Sequence, residues 1–210
     1  IFEVTTKPLI FDGDNGGRVE HIRYTVNYLE RIGVSAIIIE DKIGLKKNSL
    51  FKNQTGAKQD NIKDFSKKIT AACKAKVSED FMVIARIESF ILGKNLSDAI
   101  KRAEAYSRAG ADAILIHSKE KSPKQILSFA KKFRKSKYYK PMVAVPSSYS
   151  KTKESELIKA GFKVVIYANH MQRAAYPAML EAAKSILKNK RSFELEKKIS
   201  PVNEVINLIK

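Results

Sequence analysis

The chain has 210 residues, 44% of them apolar and 30% charged, enough for one hydrophobic core without a second domain. It contains no apolar run near the length of a membrane span and no start resembling a signal peptide. Its one cysteine, Cys73, excludes an internal disulfide, so a cytoplasmic protein with no membrane partner is expected. Forty basic residues against 22 acidic ones give a net charge of +18. That balance invites a nucleic-acid reading, but the basic residues are mostly lysines scattered over helical faces, and no nucleic-acid partner is expected.

Strand and helix patterns alternate along the chain. The first apolar run, residues 8–11, ends in Asp12-Gly13-Asp14-Asn15-Gly16-Gly17, two carboxylates among glycines that permit close backbone approach. Val19, Ile22, Val26 and Leu29 follow at helical spacing, Gly33 closes that helix, and the β-branched run 34–39 reads as a buried strand. It ends in Glu40-Asp41-Lys42, then five residues, then Asn48-Ser49. Carboxylates able to hold a hard cation thus precede Lys46 and Lys47 for anionic charge and Asn48 and Ser49 for neutral hydrogen bonds. Such a loop suits a phosphorylated or carboxylated substrate bound with a metal.

Ile62, Phe65, Ile69, Ala72 and Cys73 define a second helix, which buries the thiol rather than presenting it. Strand 81–85 ends in Arg86 and Glu88, and Ala99, Ile100, Ala103 and Tyr106 mark a third helix closed by Gly110. Strand 113–116 ends in His117-Ser118-Lys119. The most basic segment, 119–140, reads as an amphipathic helix with Ile126, Phe129, Ala130 and Phe133 inward, Ser122-Pro123 at its start, and Lys124, Lys131, Lys132, Arg134 and Lys135 as its solvated face. Strand 142–145, Gly161 and strand 163–168 complete the order, with Ser147 and Tyr149 after the former and Asn169 and His170 after the latter, either lining the same face or serving structural loops. The alternation implies a parallel sheet with right-handed crossovers. Polar residues follow every strand and no Gly-x-Gly-x-x-Gly opens a helix, which favours a barrel over a dinucleotide-binding fold.

The Asp12-x-Asp14 pair, the Glu40-Asp41-Lys42 to Asn48-Ser49 pattern, Ala85-Arg86-x-Glu88 and His117-Ser118-Lys119 occur in the order and spacing of the phosphoenolpyruvate mutase family, within the isocitrate lyase superfamily, which the chain resembles from about Pro8 to Val205. The resemblance implies an α/β fold of (β/α)8 TIM-type. Six strands are legible where eight are needed, and the family's first two precede the Asp-x-Asp strand. Residues 1–210 therefore look like a barrel domain truncated to strands 3–8, lacking the loops that hold a serine-containing substrate cradle and another carboxylate. Negligible activity is expected of this chain alone, and the complete protein is expected to be a homo-oligomer.

The resemblance also implies Mg²⁺ as cofactor, with Asp12 its direct ligand and Asp14 and Glu40 acting partly through water. Arg86, His117 and Asn48 would hold a phosphoryl group, Ser49 would join the substrate site, and Lys46 would add charge as its loop closes; Glu88 either supports the metal or pairs with Arg86. Gly44 stands where the family commonly has an aromatic residue, and Leu45 where it has proline, so closure energetics are expected to differ. The implied reaction is phosphoenolpyruvate mutation to 3-phosphonopyruvate, a small-molecule isomerisation that opens phosphonate biosynthesis. Phosphonopyruvate hydrolases lack the Asn-Ser pair, and the 2-hydroxy-acid carbon–carbon lyases carry a cysteine-containing motif in the same loop. Neither substitute is present, which favours the mutase over those two activities. An inactive basic binding or assembly module is the alternative from another class.

Overall fold

The computed structural model describes residues 1–44, 48–49 and 54–208. They divide into two compact units, one of Pro8–Ile166 and one combining Ile1–Lys7 with Tyr167–Lys210. In the first unit, strands β1 (Ile10–Asp12), β2 (Ala36–Glu40), β5 (Met82–Ile87), β6 (Ala113–Ile116), β7 (Met142–Ala144) and β8 (Phe162–Val165) form one parallel sheet in that spatial order. Helices α1 (Ile22–Arg31), α2 (Ile62–Ala75), α3 (Leu96–Arg108), α4 (Lys124–Phe133) and α5 (Glu154–Ala160) make the crossovers, each packing on the next. A two-stranded antiparallel ladder, β3 (Lys42–Ile43) with β4 (Lys58–Gln59), projects between β2 and α2.

The pleat sorts the apolar runs onto two faces. Alternate residues Ile37, Ile39, Val83, Ala85, Ile87, Ile114 and Ile116 join Val26, Phe65, Ile69, Ala103 and Phe129 in the core beneath the helices. Their neighbours Ala36, Ile38, Ile84, Leu115 and Val143 are also buried, on the opposite face. Burial on both faces is why these strands read as unbroken hydrophobic runs rather than as alternations. The helices begin at sequence-encoded caps: the Asn61 side chain accepts from the Asp64 amide at 2.8 Å, and that of Asn95 from the Asp98 amide at 3.0 Å. Each such cap contributes about 1 kcal/mol. At the other ends, Gly33, Gly110 and Gly161 take φ of 89°, 109° and 101°, the left-handed turn that lets a helix reverse into the next strand.

Three boundaries differ most from the sequence expectation. Helix α4 covers only Lys124–Phe133 of the basic segment 119–140. The helix starts after Pro123, which stands at its N-cap, and Lys135 and Ser136 donate to Lys132 and Phe133, i→i+3 bonds that end the helix in a tight turn. The expected face is nonetheless present, with Phe129 and Phe133 buried and Lys131, Lys132, Arg134 and Lys135 exposed. Val19 lies ahead of α1 and is exposed. The last strand stops at Val165, and residues from Tyr167 belong to the second unit, with helix α6 (His170–Asn189), a 3-10 turn (Glu196–Lys198) and helix α7 (Val202–Ile206). No residue of α6 is buried, and its length is not matched by apolarity: no helix among the described residues is long and apolar enough to cross a membrane.

Candidate active site

Parallel register brings the polar strand ends together. Asp12 pairs with Ile38, two residues before Glu40; Glu40 pairs with Arg86; and Ile87 pairs with Ile116, one residue before His117. Residues in register, or two apart on one strand, share a face. Asp12, Glu40, Arg86, Glu88 and His117 therefore converge on the face away from the helices, at the carboxyl edge of the sheet.

An ionic cluster forms there. The Arg86 Nε donates to Glu88 Oε1 at 2.7 Å, while its Nη2 donates to Ser49 Oγ at 2.9 Å, lies 3.0 Å from His117 Nδ1 and pairs with Glu40 Oε2 at 3.2 Å. Ser49 Oγ donates to Glu88 Oε2 at 2.5 Å and accepts from Lys42 Nζ at 2.9 Å. Lys42 Nζ also stands 3.5 Å from both Glu40 Oε1 and Glu88 Oε2. Burial alone would push the Glu88 carboxyl up, yet its bond with His117 and the Arg86 guanidinium hold it well below the usual carboxylate range. Burial lowers the pKa of His117, with Arg86 adding to the effect and Glu88 opposing it, so the imidazole is neutral at pH 7. Arg86 is raised: burial disfavours its charge, but Glu88 and Glu40 outweigh it.

Two consequences follow for ligands. The Nε and Nη2 edge of Arg86 is committed to protein partners, so a bound anion meets the remaining Nη1 rather than a whole bidentate fork. His117 Nδ1 lies 3.0 Å from Glu88 Oε1 as well as from Arg86 Nη2. Protonated at Nδ1, the ring donates to Glu88; protonated at Nε2 instead, it accepts from Arg86.

The Asp12-to-Gly17 turn is fixed against β2. Gly13 donates to Ile38 O at 2.8 Å, Glu40 donates to Asp14 O at 2.6 Å, and the Asp14 amide donates to Asp12 Oδ1 at 3.1 Å. A Cβ on Gly13 would lie 2.8 Å from the Ile37 side chain, so only glycine allows this approach. Lys68 from α2 donates to Asn15 O at 2.7 Å and braces the far side of the turn. Among the described residues no three His, Cys, Asp or Glu side chains are grouped tightly enough to wrap an ion. The donor set nevertheless fits Mg²⁺, which takes one or two carboxylates and keeps several waters. Asp12, Asp14 and Glu40 offer such carboxylates at neighbouring strand ends.

Of the residues expected from sequence, Glu40, Ser49, Arg86 and His117 are joined in one cluster, and Asp12 and Asp14 stand in the turn bonded to β2. Asn48 is exposed, and its carbonyl accepts from Gln54 Nε2 at 2.9 Å. Lys46 lies outside the described residues. Ser49 is buried inside the ionic cluster, bonded to three of its members, and Glu88 is paired with Arg86. Tyr149 is buried in the core, and Asn169 and His170 belong to the second unit. Sequence reasoning missed Lys42, whose ammonium sits at the centre of the cluster although its backbone lies in the short β3 ladder. A lysine directly after two acids was the available signal.

Comparison with known proteins identifies the family and the fold. A family model described as phosphoenolpyruvate phosphomutase matches residues 1–187. The phosphoenolpyruvate phosphomutase of Tetrahymena pyriformis is 39% identical over 207 residues, which are 97% of this chain and 67% of that protein. The phosphonopyruvate hydrolase of Variovorax sp. is 40% identical, covering 96% of this chain and 69% of that protein. The crystal structure of the phosphoenolpyruvate phosphomutase from Streptomyces platensis superposes with a TM-score of 0.91 at 38% identity, covering 97% of this chain and 70% of that one. A phosphonopyruvate hydrolase crystallised with oxalate and Mg²⁺ superposes with a TM-score of 0.86 at 37% identity, covering 97% and 69%. The architecture matches a TIM-type barrel truncated to six parallel strands.

Proposed function

The chain belongs to the phosphoenolpyruvate phosphomutase family, and from that premise we propose that it interconverts phosphoenolpyruvate and 3-phosphonopyruvate. The phosphorus–oxygen bond at the enol oxygen breaks, a bond from phosphorus to C3 forms, and the enol becomes the ketone, so the two compounds are isomers and no co-reactant is needed. The transferring group passes through a loose, metaphosphate-like state in which catalysis is positioning and charge stabilisation.

Asp12, with Asp14 and Glu40 through water, would hold Mg²⁺, which supplies a Lewis acid for the pyruvyl oxygens. Arg86 Nη1 and the Nε2 edge of His117 face the migrating phosphoryl group, Asn48 donates its amide to the same oxygens, and Lys46 adds charge. Glu88 and Ser49 touch no substrate in this reading; they orient Arg86 and His117. The carboxylates of Asp12, Asp14 and Glu40 would repel a substrate anion brought beside them, and a bound cation would screen that repulsion, so turnover is expected to depend on the metal. The reaction we assign to the cytoplasm, as the opening step of phosphonate biosynthesis.

The observation that carries the mutase reading is Ser49, whose hydroxyl joins Lys42, Arg86 and Glu88 and so plants the Asn48-Ser49 pair beside the phosphoryl-binding groups. The equal identity to a phosphonopyruvate hydrolase favours one second reading, in which water captures the phosphoryl group. Phosphorus NMR of phosphonopyruvate with Mg²⁺ decides: phosphoenolpyruvate is the expected product, and phosphate with pyruvate would establish hydrolysis instead.

A further inference from the structure

Glu40 and Asp41 are adjacent, so the pleat sends them to opposite faces. Glu40 joins the ionic cluster, whereas Asp41, wholly buried, points beneath α3. There its Oδ2 accepts from Tyr106 OH at 2.7 Å, Gln59 Nε2 at 2.8 Å and Arg102 Nη1 at 3.1 Å. Its Oδ1 accepts from the Glu88 backbone amide at 2.9 Å. Arg102, 4% exposed, also donates to Asp60 O at 2.9 Å, to Tyr106 OH at 2.8 Å and, from Nε, to Asp98 Oδ2 at 3.0 Å. Asp98 Oδ2 in turn accepts from Ser89 Oγ at 2.7 Å. The Glu88-Ser89 step is thereby held twice, at one backbone amide and one hydroxyl, by groups that α3 supplies or fixes. The ladder bearing Lys42 is held as well, through Gln59 and through the Asp60 amide, which donates to Asp41 O at 2.7 Å.

We propose that Arg102 and Tyr106 are positioning residues for phosphoryl transfer: from α3 they lock Asp41, and Asp41 fixes Glu88 and Lys42, the two groups that orient Arg86, His117 and Ser49. This rests on the phosphoryl-transfer reading in assigning Arg86 and His117 to the substrate. A buried ion pair of this kind contributes little net stability compared with apolar packing, whereas a fully satisfied network fixes a unique geometry. Misplacing a reacting group by about 1 Å costs on the order of 100-fold in rate, so rigidity at Glu88 reads out as turnover.

Tyr106→Phe tests this with the smallest change, since it deletes the hydroxyl and keeps the ring that packs 4.7 Å from Phe65. In the protein carrying it, kcat is expected to fall about 10-fold while KM and the calorimetric affinity for oxalate with Mg²⁺ stay within about twofold, because the metal-side carboxylates are untouched. Arg102→Met should lower kcat about 100-fold and Arg102→Lys should recover most of that loss. The ratio of variant to wild type is taken for whichever product forms, phosphoenolpyruvate or phosphate, so a hydrolase would overturn the proposed function and leave this inference to be judged by the same numbers. A readout independent of turnover is the ring proton resonance of His117, one of three histidines. It should shift in Tyr106→Phe while those of His21 and His170 stay in place. Unchanged kcat and an unmoved His117 signal in Tyr106→Phe would overturn the proposal, as would a parallel fall of kcat, oxalate affinity and melting temperature.

Discussion

Two charged clusters lie back to back on this sheet, and their contrast explains more than either alone. On the site face, Glu40, Lys42, Ser49, Arg86, Glu88 and His117 make a cluster in which two acids meet two cations, bordered by the exposed Asp12. On the helix face, Asp41, Arg102, Tyr106 and Asp98 make a network in which one guanidinium serves two carboxylates, each within hydrogen-bonding distance. Burial raises both the Asp41 carboxyl and the Tyr106 hydroxyl, Arg102 opposing the shift in each, so the phenol stays protonated and donates. One cluster is built to receive charge and the other to stay still. The difference comes from a single step along the backbone, from residue 40 to residue 41.

The sharpest way to break the contrast is to remove the cation that ties the site face together. Arg86→Ala should lower turnover about 1000-fold or more and cost about 3–5 kcal/mol of stability, because Glu40 and Glu88 lose their compensating charge. Phosphorus NMR and denaturant unfolding measure the two effects, and full stability without Arg86 would mean that the acids are solvated. Asp12→Asn comes next, with Mg²⁺-dependent turnover expected to drop about 100-fold and no change in fold, since Asp12 is exposed. Unaltered metal dependence in that variant would remove Asp12 from the ligand set.

Smaller effects sharpen the picture. Asn48→Ala should reduce kcat about 10-fold with oxalate affinity retained, because the amide is assigned to the migrating phosphoryl group; a loss confined to binding would reassign it to the pyruvyl end. Stability should also decline on acidification in two stages. His117 has a folded pKa below the ordinary 6.5, so the unfolded chain takes up its proton first and stability falls as pH drops below 6.5. Glu88, depressed from 4.5, adds a second loss as pH falls below 4.5 toward its folded value. His117→Asn should erase the first stage and shrink the second, because Glu88 loses the His117 bond and keeps Arg86, as unfolding midpoints against pH would show. Cys73→Ser should leave turnover unchanged: the thiol donates to Gly110 O at 3.2 Å and burial pushes it up to about 11, so it carries no thiolate at neutral pH.

Much of this was legible in the chain itself. The six parallel strands and the caps at Gly33, Gly110 and Gly161 follow from apolar runs and glycine positions, and register then gathers Asp12, Glu40, Arg86 and His117 without further information. What escaped was whatever depends on the pleat and on distant pairing. The β-branched run 34–39 is apolar on both faces, so its pattern does not tell which side Glu40 takes. Arg102 and Tyr106 read as ordinary residues of an amphipathic helix, because nothing local marks a partner sixty positions earlier. Lys42 was passed over for the lysines further along, since a two-residue strand leaves no period to detect.

The β3–β4 ladder has a consequence for protein engineering. Ile43 and Lys58 stand in register, and strand partners lie about 5 Å apart, so residues 44–57 leave and re-enter the frame at nearly one point. Lengthening such a segment asks little of the backbone frame, since doubling its length costs only about 0.6 kcal/mol of closure entropy, but Ser49 within it is tied to Lys42, Arg86 and Glu88. The segment can therefore be treated as an exchangeable cartridge provided that Ser49 is kept. Libraries spliced there can explore new chemistry while the socket, clamped from α3, holds the same two ends.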